Sequence, residues 1–212
     1  MSSTFRILFY YLALLLLAGC QEAWTDQDRS ILFQDDFTSE QSNWDVFEDE
    51  RGAVGYQNGM YRIYANEAQA DFWANPHGLK FSDVQVEVNA QRAAGSENNV
   101  FGILCRYQDA KNFYQLLVSS DGYYDISKVI DDQRVPLTGE QLLPSEGIPQ
   151  DLDILQLRAD CTGSQLVLFV NGTEIARAQD SDFASGNVGL IAGSFETPGT
   201  EIYFDNFVVR KP

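Results

Sequence analysis

The chain is poor in several residue types whose presence would each have pointed to a particular chemistry. It has one histidine, His77, in 212 residues. A lone histidine with no partner at a telling spacing reads as a loop residue, and zinc sites built on histidine clusters are excluded. No Ser-centred G-x-S-x-G elbow and no phosphate-cradling glycine loop is present. The string Glu-x-Asp-x-x-Glu, which would align carboxylates on one strand face for glycoside cleavage, is also missing. "FEDERG" crowds Glu48, Asp49 and Glu50 together without that spacing and reads as solvated charge. Basic residues are few: 14 Lys and Arg stand against 31 Asp and Glu, for a net charge of −17. Such a surface repels phosphate, which excludes nucleic acid as a partner. No CxxC pair occurs among the three cysteines. Helical periodicity is nearly absent. The longest apolar run, Ile7 to Ala18, covers 12 residues, well short of the roughly 20 that cross a bilayer.

That run has the length of a signal-peptide core. It ends in Leu17-Ala18-Gly19-Cys20, which resembles the lipobox of bacterial lipoproteins. The resemblance implies that residues 1–19 are removed as a signal peptide. The Cys20 sulfur would then carry acyl chains such as palmitate, and residues 20–30 would form a polar tether. One acyl chain anchors only marginally, whereas two or three hold firmly. The expected location is therefore the cell envelope, lipid-anchored to a membrane and facing its extracytoplasmic side.

What the chain does have is strands. "DVQVEVNAQ" places Val84, Val86, Val88 and Ala90 on one face. Asn58-Gly59, Asp121-Gly122 and Asn171-Gly172 sit between apolar runs as hairpin turns. About a dozen antiparallel strands are expected, in a single domain over residues 31–212. "LTGEQLLPSEGIPQD" reads as a surface loop. Cys105 shares its strand face with Phe101, Ile103 and Tyr107, and Cys161 shares its face with Leu155, Leu157 and Ala159. Both sulfurs thus face apolar ground in an exported chain, and a Cys105–Cys161 disulfide is expected.

From "FQDDF" to "FDNFVV", by way of "YQDAKNFYQLLVSSDGYY", "LRADCTGSQLVLFVNG" and "DFASGNVGLIAG", the chain resembles the concanavalin A-like lectin/glucanase superfamily. More narrowly it resembles secreted domains related to the 3-keto-disaccharide hydrolase family. The resemblance implies an all-β, two-sheet antiparallel jelly-roll sandwich. It also implies one of three roles: carbohydrate binding without catalysis, glycoside processing, or a structural domain without a small ligand. With no acid pair in evidence, the non-catalytic reading is favoured.

Aromatic rings and amides that could meet a sugar are Tyr107, Tyr114, Tyr123, Tyr124 and Gln115. Strand parity puts Phe113, Gln115 and Leu117 on one face and Tyr114, Leu116 and Val118 on the other, so about half of these rings belong to a core. The mixed faces with Gln115, Asp125, Ser127 or Lys128 are candidates for an exposed sheet. Many relatives bind calcium. If the first and last strands pair, Asp35, Asp36, Asp205 and Asn206 would supply oxygens for a structural calcium.

Overall fold

The structure is a computed structural model that describes residues 30–212. The expected signal peptide, the expected acylation site at Cys20 and most of the expected tether lie outside these residues. No helix among the described residues is long and apolar enough to cross a membrane.

Two antiparallel sheets pack face to face. The larger runs β14 (Thr173–Gln179), β13 (Gln165–Val170), β12 (Ile154–Thr162), β6 (Val84–Ala94), β16 (Thr200–Arg210), β4 (Met60–Ala65), β3 (Gly52–Gln57) and β2 (Phe47–Glu48). Its ninth strand, β1 (Ile31–Asp35), also pairs with β16. The smaller sheet runs β10 (Gln133–Pro136), β9 (Tyr123–Ile130), β8 (Asn112–Val118), β7 (Asn99–Asp109), β15 (Asn187–Ser194) and β5 (Ala70–Ala74), with β11 (Leu143–Pro144) attached to β9.

The alternation in β6 does what its sequence requires. Val84, Val86, Val88 and Ala90 are all buried between the sheets, opposite Phe101, Ile103 and Cys105 of β7. First and last strands pair as expected, with Asp35 opposite Phe207. Asn206, at φ 55°, sits in the bulge where β16 leaves β4 and takes up β1. Asn tolerates that left-handed conformation better than most residues.

The "DDF" start earns its place in this corner. Asp35 Oδ1 accepts the Phe37 N–H (2.8 Å) and Oδ2 accepts the Trp44 indole N–H (3.0 Å). Phe37, Trp44, Tyr61 and Phe207 close into one aromatic cluster, with ring centroids 5.0–5.4 Å apart.

Two expectations need correcting. Sixteen strands form among the described residues rather than about a dozen, because short segments such as β2, β10 and β11 complete sheet edges. The stretch expected as a surface loop is also pinned down. Ile148 is buried in the main core, and Leu142 packs on the outer side of the smaller sheet.

The sheets are also clamped at one edge. Lys128 of β9 donates to Asp180 Oδ2 (2.6 Å) and to Asp182, and the Tyr114 hydroxyl donates to Asp180 Oδ1 (2.5 Å). Burial pushes the Asp180 carboxyl up, but the Lys128 ammonium and the Tyr114 hydroxyl outweigh it and hold the pKa below the ordinary value. A group depressed in the folded state stabilises the fold above its unfolded pKa. That contribution disappears as pH falls through the folded value. Denaturation midpoints from pH 7 down to about pH 2 should therefore fall more steeply for the wild type than for Asp180→Asn. Parallel curves would remove the clamp from the account.

Candidate functional site: a groove on the smaller sheet

The smaller sheet carries apolar residues on both faces. Its inner face joins the sandwich core. Its outer face holds a second cluster of Val100, Leu104, Phe113, Leu117 and Ile191, edged by Trp73, Tyr107, Leu142 and Phe195. In β7 and β15 the residues sharing that outer face include Gly102, Gly189 and Gly193. A Cβ at Gly102 would stand 2.1 Å from the Leu116 carbonyl oxygen. The neighbouring strand therefore passes too close at this point to admit a side chain.

β5 and β8 lie three strand steps apart, about 14 Å in a flat sheet. The Trp73 ring of β5 and the Phe113 ring of β8 nevertheless stand with centroids 5.8 Å apart. Large side chains from separate strands converge over the glycines of this face and shape a shallow groove.

Asp71 forms one wall. Its carboxylate lies over Gly193, where a Cβ would stand 1.8 Å from Oδ1. Water reaches this side chain, but protein crowds around it, and the resulting desolvation raises its pKa while Arg134 pulls it part of the way back. No hydrogen bond or ion pair holds it. Two residues along the same face stands Trp73, half-buried, 5.8 Å from the Phe113 ring, with its indole N–H directed at the Tyr107 hydroxyl (3.4 Å). Phe113 and Tyr107 stack at 5.7 Å. Burial raises the Tyr107 pKa, against the Trp73 hydrogen bond and with help from Asp45 and Asp109.

The opposite wall is a locked chain of polar groups. Gln115 Nε2 donates to Ser127 Oγ (2.9 Å), and Ser127 Oγ donates to Asp125 Oδ2 (2.6 Å). Arg134 grips Asp125 with two N–H groups, at 3.2 and 2.8 Å. Asp125 is wholly buried beneath it. Both Asp125 oxygens are thus committed, whereas the Gln115 carbonyl oxygen has no protein donor.

At one end the groove opens into a surface pocket of about 640 Å³ bordered by Tyr123, Gln141, Leu142, Phe195, Asp121 and Glu196. Beyond Trp73, at the other end, His77 Nε2 pairs with Asp45 Oδ1 (3.0 Å). The lone histidine is therefore fixed by a carboxylate that sequence spacing had not revealed.

The structure sorts the expected sugar contacts by parity. Tyr107, Gln115 and Tyr123 lie on the groove face; Tyr107 leaves the Cys105 face that alternation assigns it, because the strand bulges after Cys105 with Arg106 at φ 51°. Tyr114 and Tyr124 do not: Tyr114 is fully buried in the sandwich core and Tyr124 packs against that core. Neither can reach a ligand in the groove. Burial, aided by the hydrogen bond to Asp180, pushes the Tyr114 pKa up to about 12. Asp71, Trp73 and Arg134 were missed. The signal for the first two was the alternation in "ADFWA", which puts a carboxylate and an indole on one side of a short strand.

The calcium expectation is not met by the donor set. Asp35, Asp36 and Asn206 do border one surface pocket of about 380 Å³. Asp35 is buried, however, and spends both oxygens on N–H donors, while Asp36 Oδ1 accepts the Thr38 N–H and hydroxyl. Asp205 Oδ1 accepts the Asn206 N–H (2.7 Å). Calcium takes six to eight oxygens. Among the described residues, no group of three or more acidic, histidine or cysteine side chains is placed to hold a metal.

No protein-family model matches the chain, and no curated protein matches it. Solved structures do. A carbohydrate-binding module, CBM66 from Bacillus subtilis, superposes with a TM-score of 0.62 at 16% identity, covering 79% of this chain and 95% of that one. A Bacillus subtilis protein with a galectin-like fold gives 0.62 at 12% identity, covering 86% and 96%. The GH16 of a Bacteroides ovatus mixed linkage glucan PUL, in complex with a G4G4G3G product, gives 0.61 at 10% identity, covering 84% and 100%. At these identities the likeness shows the architecture alone: a two-sheet antiparallel jelly-roll sandwich, a fold that also carries a carbohydrate-binding module and a glycoside hydrolase.

Proposed function

We propose that the protein is an extracytoplasmic lipoprotein, tethered through Cys20, whose jelly-roll domain binds carbohydrate in the groove without cleaving it. One observation carries the reading: Asp71, an unpaired and partly desolvated acceptor, stands beside the half-buried Trp73 ring in a groove floored by Phe113 and walled on the other side by Gln115. Sugars present apolar ring faces and donor hydroxyls, which such a pairing of indole and carboxylate suits. The carbohydrate-binding neighbour on this fold supports the choice.

Hydrolysis is the second reading, in the manner of the 3-keto-disaccharide hydrolase relatives. It is favoured by the raised pKa of Asp71, a property of catalytic acids. Glycoside cleavage ordinarily needs two working carboxylates across the bond, and Asp125 is held by Arg134 and Ser127. That occupancy supports binding over cleavage.

The test is a glycan-array screen of residues 21–212 with product analysis of every glycan bound. Binding without new reducing ends is expected. Released products would move the protein to the hydrolase reading. No binding at all would leave a structural domain.

A further inference from the structure

We infer that the groove selects uncharged saccharides and turns away those bearing carboxylate or sulfate groups. This rests on the carbohydrate reading and specifies its ligand class. The argument is a census of the charges that face the groove. Its one wall cation is Arg134, and the bidentate grip on Asp125 already neutralises it. Asp71, beside Gly193 on the same outer face, has no hydrogen bond or ion pair. At the open end, Asp121 and Glu196 border the pocket with no basic residue beside them. Asp121 has only the Ser119 hydroxyl as a partner, and Glu196 has none. At the far end, Asp45 pairs with His77, and Asp109 lies close enough to act on Tyr107, with Lys111 beside it. Lys128 points the other way, between Asp180 and Asp182.

An incoming carboxylate would thus meet several unpaired acids and one spent guanidinium, on a protein of net charge −17. Like charges brought together in a half-enclosed site repel strongly, and a concave wall focuses that field. Uncharged hydroxyl donors face no such barrier, and Asp71 and the Gln115 carbonyl oxygen are acceptors for them.

The test prints neutral gluco-, galacto-, manno- and fructo-oligosaccharides beside oligouronates and sulfated oligosaccharides of equal length. The purified protein is applied at about 0.05 M and about 0.5 M NaCl, where screening shortens the reach of exposed charges several-fold. At low salt the neutral ligands should bind about tenfold or more tightly than the anionic ones. The gap should narrow at high salt, and narrow again in an Asp121→Asn/Glu196→Gln variant. Anionic glycans binding as well as neutral ones at low salt would overturn the inference while leaving carbohydrate binding intact. So would a gap that salt does not change. Silence across the whole array would overturn both.

Discussion

Replacing Asp71 with asparagine should weaken saccharide binding by roughly ten- to hundredfold while leaving the fold as stable as the wild type, or slightly more stable. The binding loss follows from removing a charged acceptor, whose hydrogen bonds are worth about 1.5–3 kcal/mol, at about 1.4 kcal/mol per tenfold. The stability effect has the opposite sign, and the reasoning is direct. Folding raises the Asp71 pKa, so the folded state disfavours the ionised form. At neutral pH the carboxylate therefore costs stability, which the neutral amide of nearly equal shape gives back. Isothermal titration with a bound glycan, set beside thermal melts of both proteins, reads both effects. A variant that melts well below the wild type would make Asp71 a structural residue.

Removing the Cys105–Cys161 bridge should produce the largest loss of stability. The bond joins β7 of the smaller sheet to β12 of the larger one, with both cysteines fully buried, and it spans 56 residues. Closing a loop of that size in the unfolded chain is worth about 4 kcal/mol on the entropy model. A Cys105→Ala/Cys161→Ala pair should melt lower by roughly 10 °C, and reductant should do the same to the wild type. The double variant should gain nothing from an oxidising buffer. A wild-type melt unmoved by complete reduction would show that packing alone holds the sheets together.

Much of the architecture was legible because period-two apolarity speaks plainly where one face meets the core. β6 is the clear case, and the parity of Cys105 and Cys161 foretold their bond. The groove was harder to read for a physical reason. The smaller sheet is apolar on both sides, one face in the sandwich and the other under Leu142 and Phe195. Alternation in "NFYQLLV" is therefore blurred, and nothing local says that Tyr114 rather than Phe113 faces the main core. β5 is only five residues long, too short for its pattern to stand out. The meeting of Trp73 with Phe113 reaches across three strand steps, which no local spacing encodes. His77 and Asp45 likewise meet only through the bridge between Trp44 and Pro76.

The claim on which the rest depends is that ligand enters this groove and no other surface. The most direct measurement is an amide chemical-shift titration of isotope-labelled protein with a neutral oligosaccharide that binds it. The shifts should gather at Asp71, Trp73, Gln115, Ser127 and Gly193 and spare the outer face of the larger sheet around Arg62, Tyr203 and Arg158. Shifts concentrated on that other face, with Asp71 and Trp73 unmoved, would contradict the account.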